Sequence, residues 1–264
     1  MKIGLMGFGR AGRAVSTLLL GHEDVTLEWV ARRTTRRDQR CAGSLLGIES
    51  HSPARLVATD VTPAAELLDR YPVDAIIDFS SRTGIDYYGE AAAARGVSIV
   101  CAVSAFDDSA LSRLEKWSRT TRVLWSPNIT IGINFMLLAA KTLQAIAPWA
   151  DIAIVEEHFR DKAEVSGTAI RLASGLGQEP GEIKTVRAGG IIGTHEVLFG
   201  FPYQTVRLRH ESLAREAFGD GALFAAQHLV GLPNGLYRME DILLPYFSHE
   251  PSAQLESAAI AVGG

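Results

Sequence analysis

Along the first half of the chain, short apolar runs alternate with longer stretches in which apolar side chains return every three to four positions. Lys2-Ile3-Gly4-Leu5-Met6 has the pattern of a short buried strand, and residues 13–20 carry helical periodicity. Further strand patterns fall at 25–31, 73–79, 96–103 and 122–126, with helix-compatible stretches at 87–95 and 109–120 between them. Such alternation predicts an α/β domain with a parallel sheet covered on both faces. Ligands of such sheets sit beyond the carboxyl ends of the strands, which nominates the loops 79–83 and 102–106. Past Pro127-Asn128 the pattern changes. An apolar helix is expected at 133–147, a strand at 151–156, further strands at 183–188, 193–200 and 204–211, and a helix at 215–230. Strands in succession predict a second, α+β domain around a mainly antiparallel or mixed sheet. No low-complexity linker separates the halves, so the boundary is placed near Ile129.

The turn after the first strand is Gly7-Phe8-Gly9-Arg10-Ala11-Gly12, a G-x-G-x-x-G sequence between a strand and a helix. Alone, such a sequence could be any glycine-rich turn. In this context the first glycine permits the tight turn, the second admits a pyrophosphate and the third lets helix pack on strand, so a Rossmann dinucleotide site is expected. The end of the second strand reads Arg32-Arg33-Thr34-Thr35-Arg36-Arg37. An acidic residue there would bind the 2′-hydroxyl of NADH, whereas arginines suit a 2′-phosphate, so NADPH is the expected cofactor, with NADH possible.

Composition narrows the classes. The chain has 264 residues, 47% hydrophobic and 21% charged, with a formal net charge of −4, which is ordinary globular composition with no general attraction to nucleic acid or anionic membrane. Neither partner is expected. Apolar stretches stop short of the ~20 residues a membrane-spanning helix needs, and the start lacks a signal-peptide pattern, so a cytoplasmic location is expected. Cys41, Cys101 and the histidines His22, His51, His210, His228 and His249 show no metal-ligand spacing, and no metal is expected.

The second half carries the candidate chemistry in Glu156-Glu157-His158-Phe159-Arg160-Asp161-Lys162-Ala163-Glu164-Val165-Ser166-Gly167-Thr168-Ala169. His158 can move a proton near neutral pH, and Lys162 adds a cation four positions on. Ser166-Gly167-Thr168 opens a helical run, where free N–H groups and the helix dipole favour an anion. A substrate bearing a carboxylate fits such a site. A capped surface helix after a polar loop is the plain alternative.

These residues, with Gly7 to Gly12, Ile77-Asp78-Phe79-Ser80, Pro127-Asn128, Arg187-Ala188-Gly189, Gly193-Thr194-His195-Glu196 and the stretch from Gly235 to Leu243, resemble the dihydrodipicolinate reductase family over nearly the whole chain to about Phe247. The resemblance implies a dinucleotide domain at 1–128, a substrate and oligomerisation domain at 129–235, and a last segment, 236–264, returning to the first. It implies an oxidoreductase of lysine and diaminopimelate biosynthesis that reduces a cyclic unsaturated imine dicarboxylate with NADPH or NADH, in a homotetramer built on the open second sheet. Residue by residue, it makes His158 the proton donor, Lys162 the conserved lysine, and Ser166, Gly167 and Thr168 the carboxylate turn. Phe79, Ser80, Ala102 and Ser104 fall in cofactor loops, and His195 receives no role.

The departures from the family pattern cluster at the substrate. Phe159 stands where a second histidine is usual, Glu164-Val165 replaces a longer Asp-Ala-Pro, and Ala102-Val103-Ser104-Ala105 replaces Gly-Thr-Thr-Gly. A phenyl in place of an imidazole removes a polar partner and adds apolar surface, which can change ligand preference. Two alternatives therefore stand beside the family reaction: a paralogue reducing a related cyclic imine acid, and an NADPH-binding regulatory protein without turnover.

Overall fold

A computed structural model describes residues 1–34, 41–104 and 106–247. The described residues form two compact units, one of Met1–Ile129 together with residues 218–247, the other Thr130–Ala217.

The first unit runs β1 (Lys2–Met6), α1 (Arg10–Leu20), β2 (Thr26–Arg32), α2 (Ala42–Leu46), β3 (Arg55–Ala58), α3 (Ala64–Arg70), β4 (Ala75–Asp78), α4 (Gly84–Ala94), β5 (Ser98–Cys101), α5 (Asp108–Ser118) and β6 (Arg122–Trp125). The second contributes α6 (Ile131–Ile146), β7 (Asp151–His158), α7 (Gly167–Gly175), β8 (Lys184–Arg187), β9 (Thr194–Gly200) and β10 (Thr205–Glu211). Then follow α8 (Glu216–Leu229), β11 (Gly235–Tyr237) and α9 (Met239–Leu243). Among the described residues, no helix is long and apolar enough to cross a membrane.

The first sheet has the order β11-β6-β5-β4-β1-β2-β3, with every pairing parallel. Its middle strands β4 and β5 are buried at every position, as a sheet covered on both faces requires. Strand order reverses between β1 and β4, the switch point where doubly wound sheets hold ligands. The edge strands β3 and β11 went unread in the sequence: they are short and only partly buried, so no continuous apolar run marks them, and their neighbours in the sheet define them.

The expected return to the first unit at 236 is corrected to Phe218. Helix α8 belongs there because its face is cut to fit α1: a Cβ on Gly219 would lie 3.2 Å from the Val15 Cα.

The second sheet is mixed, in the order β10-β9-β7-β8, with β7 and β8 parallel and the other pairs antiparallel. One face packs Ile154, Val197 and Phe199 against Met136, Leu137 and Ala140 of α6 and Leu172 and Ala173 of α7. Side chains alternate along a strand, so the face that packs Ile152 and Ile154 into the core also carries Glu156 and His158, and the face that buries Phe199 and Val197 carries His195. The apolar core of this unit therefore ends in a row of polar groups at positions where the strand pattern calls for apolar ones.

Candidate active site

In the first unit the glycine turn has the form a phosphate needs. Gly7 sits at φ +97°, and a Cβ there would meet the Phe79 carbonyl oxygen at 2.8 Å. A Cβ on Gly12 would lie 2.2 Å from the Gly7 carbonyl oxygen, so turn and helix close on each other only without side chains. Gly9, the N-cap of α1, faces open space and offers no side-chain cap, which leaves the N-terminal N–H groups of α1 for an anion. Phe8 lies under the Arg13 guanidinium, while Arg10 is exposed and Ala11 half-buried. A dinucleotide's pyrophosphate fits this cradle.

Beyond the strand ends, the Asp78 carboxylate accepts from both the N–H and the hydroxyl of Ser80, at 2.7 and 2.6 Å, and from the Tyr88 hydroxyl at 2.9 Å. Ser80 thus spends its proton on fixing the loop that carries Phe79. Burial raises the Asp78 pKa against these hydrogen bonds. Ala102 is half-buried, its N–H bonded to the Asp78 carbonyl, and Ser104 is exposed. Arg32 ends β2 with its Nε donating to the Thr34 carbonyl at 2.6 Å, and Arg33 is exposed. Arg36, Arg37 and Ala105 lie outside the described residues.

In the second unit β7 delivers His158 to the end of the core, where it is 8% exposed. Its Nδ1 bonds the fully buried Glu156 carboxylate, leaving Nε2 as the free nitrogen. Gly193 keeps that nitrogen open, since a Cβ there would lie 3.0 Å from it. The other Glu156 oxygen accepts from Arg187 Nη2 at 2.5 Å. Arg187 also donates to the Lys162 carbonyl at 2.9 Å and the Glu164 carbonyl at 3.0 Å, so one guanidinium ties the buried carboxylate to the lysine loop.

Burial raises the Glu156 pKa, yet hydrogen bonds from Arg187 and His158, with their charges, outweigh it and leave the carboxyl below its ordinary range. Burial also dominates at His158 and lowers its pKa, opposed by Glu156 and assisted by Lys162 and Arg187. Lys162 joins the same cluster through its backbone carbonyl, which Arg187 holds, and its ammonium forms no ion pair among the described residues.

The expectation of several free N–H groups at the Ser-Gly-Thr turn is corrected. Ser166 caps α7 with its own hydroxyl oxygen, accepting from the N–H groups of Thr168 at 3.2 Å and Ala169 at 3.4 Å. The Gly167 N–H is left without an acceptor among the described residues. The Ser166 hydroxyl also meets His195 Nε2 at 2.8 Å, and the His195 and His158 rings stand edge to face with centroids 5.3 Å apart. Phe159, just past the strand, is 43% exposed.

His158 and the Ser166-Gly167-Thr168 turn thus share one cluster through His195, and Lys162 is tied to it by its carbonyl through Arg187 and Glu156, while Gly7 to Gly12, Phe79, Ser80 and Ala102 share the carboxyl edge of the first sheet. Sequence reading missed Glu156, Arg187 and His195. Strand alternation marks Glu156 rather than Glu157 as inward-facing, and so was a usable signal; Arg187 is joined to His158 only by the β7–β8 register. No group of three or more His, Cys, Asp or Glu among the described residues is placed to hold a metal.

The descriptions "Dihydrodipicolinate reductase, N-terminus" and "Dihydrodipicolinate reductase, C-terminus" match residues 1–129 and 129–243. A 4-hydroxy-tetrahydrodipicolinate reductase of Myxococcus xanthus is 29% identical over 262 residues, covering 89% of this chain and 95% of its own. One from Xanthomonas axonopodis pv. citri is 31% identical over 242 residues, covering 89% and 94%. Dipicolinate-bound dihydrodipicolinate reductase from Paenisporosarcina sp. TG-14 superimposes with a TM-score of 0.75 at 20% identity, over 92% of this chain and 99% of that one, and shares the fold. With residues 1–243 matched across both halves, this chain belongs to the dihydrodipicolinate reductase family.

Proposed function

We propose that this chain reduces the cyclic imine dicarboxylate 4-hydroxy-tetrahydrodipicolinate, or its dehydrated form, to tetrahydrodipicolinate with NADPH, a step of lysine and diaminopimelate biosynthesis. The observation that carries the reading is the buried Glu156–His158 pair beside Lys162 and the Ser166 turn, on a chain that matches the family in both halves. When bound, the nicotinamide supplies a hydride. Lys162 and the Gly167 N–H hold a substrate carboxylate, and fixing the ring in place accounts for much of the rate. Hydride addition drives the electron pair of the conjugated carbon–nitrogen system toward nitrogen. His158 then donates a proton from Nε2, and Glu156 stabilises the imidazolium and holds the ring so that Nε2 faces outward. Arg32 and Arg33 at the end of β2 support NADPH over NADH.

Phe159 favours a second reading on one observation: next in sequence to His158 it leaves an exposed phenyl where the family has an imidazole, which suits a cyclic imine acid with less polar substituents. The test is oxidation of NADPH and of NADH against enzymatically generated 4-hydroxy-tetrahydrodipicolinate beside a panel of cyclic imine acids. The expected result is the highest kcat/KM on the dicarboxylate, at least several-fold better with NADPH. Preference for another imine, shifted toward the dicarboxylate by Phe159→His, would establish the paralogue. NADPH binding with no turnover of any of them would make the chain a regulatory binder.

A further inference from the structure

The imidazole of His195 has a definite protonation state written into its contacts. It is 5% exposed, on the core face of β9, level with Glu156 on β7 and His210 on β10. Its Nε2 lies 2.8 Å from the Ser166 hydroxyl oxygen, itself in a residue only 4% exposed. That oxygen already accepts from Thr168 N and Ala169 N. A hydroxyl has two acceptor sites and one hydrogen to donate, so with both acceptor sites filled the hydrogen goes to the remaining neighbour, His195 Nε2. An Nε2 that accepts carries no proton, which puts the proton of the neutral ring on Nδ1. That atom is buried and has no hydrogen-bond partner among the described residues.

The surroundings keep the ring neutral. Burial pushes the His195 pKa down to about 3; His158, His210 and Lys162 act in the same direction and Glu156 against them. An imidazolium would reverse the arrangement: a donor at Nε2 would compete with the two N–H groups for the Ser166 oxygen, and the first turn of α7 would lose its cap.

We propose that His195 is a positioning residue for the substrate carboxylate: by accepting the Ser166 hydroxyl proton at Nε2 it turns the Ser166 oxygen onto the Thr168 and Ala169 N–H groups, so that the turn meets the carboxylate with the Gly167 N–H. The Ser166 hydroxyl is then a strut of the anion site and does not donate to the ligand. This rests on the reading that the turn holds a substrate carboxylate.

Two measurements on the full chain decide it. In ¹⁵N-labelled protein, with His195 assigned by the signals lost in His195→Gln, the ring is expected to show a protonated Nδ1 and an unprotonated Nε2 from pH 6 to 9, with Nε2 shifting in Ser166→Ala. A proton on Nε2, or an imidazolium at neutral pH, overturns the proposal. The second measurement is titration of NADPH-loaded protein with dipicolinate as a planar dicarboxylate probe. His195→Phe, which fills the space but cannot accept, is expected to weaken binding about tenfold, the order of a lost helix cap together with a stranded hydroxyl. His195→Gln, whose amide oxygen can accept, should recover most of that. In a Ser166→Ala background His195→Phe should add less than about twofold, because both changes remove one device. NADPH affinity should hold in all variants. A loss in Ser166→Ala with none in His195→Phe, or equal losses in folded His195→Gln and His195→Phe, overturns the proposal alone. Unchanged affinity in Ser166→Ala overturns the carboxylate reading of the turn, and the proposal with it.

Discussion

A buried imidazole bonded to a buried carboxylate is pulled two ways, and the direction of the balance fixes how activity follows pH. Burial, with the charges of Lys162 and Arg187, sets the His158 pKa below the ordinary 6.5, and Glu156 is the group that holds it up. A proton donor works in its protonated form, so kcat should fall as pH rises through this lowered pKa, with the falling limb beginning below 6.5. Glu156→Gln removes the group that raises the pKa, and the limb should move to still lower pH with a reduced kcat. An unmoved limb would show that Glu156 does not act through His158. His158→Gln should lose ~10²–10⁴-fold in kcat, whereas Lys162→Ala should mainly raise KM, because the ammonium binds ground state and transition state alike. At this scale the sequence was half legible. His158 and Lys162 stand out by chemistry and spacing, and so does the N-cap serine. Glu156 is hidden beside Glu157 until strand alternation is applied, and the Ser166–His195 contact spans a separation that no local pattern reports.

At the level of elements, one side chain joins strand, loop and site. Arg187 closes β8 beside the last residue of β7 and reaches both the Glu156 carboxylate and the carbonyls of Lys162 and Glu164. Arg187→Leu would leave a fully buried carboxylate without its cation, and breaking such a pair typically costs ~3–5 kcal/mol. Arg187→Lys keeps the charge but cannot serve three acceptors from a planar fork, so an intermediate loss is expected. Urea unfolding checks the order wild type, Lys, Leu. The same variants should raise KM more than they disturb NADPH affinity, since the tether holds the Lys162 loop; equal stability across the three would mean the fork is ornamental. The readable elements announce themselves by composition or period: β1, β2, β4, β5 and β6 as apolar runs, α1 and α6 as amphipathic or apolar helices. Helices α2 and α3 were not, since five and seven residues give a helical period too little length to declare itself, and strands β3 and β11 were not, since they are edge strands only partly buried and lack a continuous apolar run. The turn before α7 was legible as a cap, but which N–H groups it consumes depends on a side-chain rotamer.

For the whole molecule, the two-fold division of the chain was legible in the change from alternating to successive strands, while its return point at Phe218 depends on how α8 fits α1 and is invisible to any local pattern. The family resemblance adds a homotetramer built on the second sheet, and that sheet gives the idea physical content. Among the described residues, one of its faces packs against helices α6 and α7. The other presents Glu157, Glu196, Arg207 and Arg209 as a paired set: Arg207 bonds Glu196, and Arg209 lies 3.6 Å from Glu157 and 3.9 Å from Glu196. Because these charges are matched within the face, a second copy meets little net repulsion there. The attraction must come from the apolar ground between them, where Leu198 of the central strand lies in register with Ala153 and Arg207, and from Val186, which is 43% exposed. We predict a sedimentation mass about four times 28.5 kDa, only weakly sensitive to salt because screening acts on charges already paired. Leu198→Asp places an unmatched charge at the centre of that face and should lower the mass while NADPH still binds, since the cofactor cradle belongs to the first unit. A native protein sedimenting at 28.5 kDa, or an assembly indifferent to Leu198→Asp, would remove this face from the assembly.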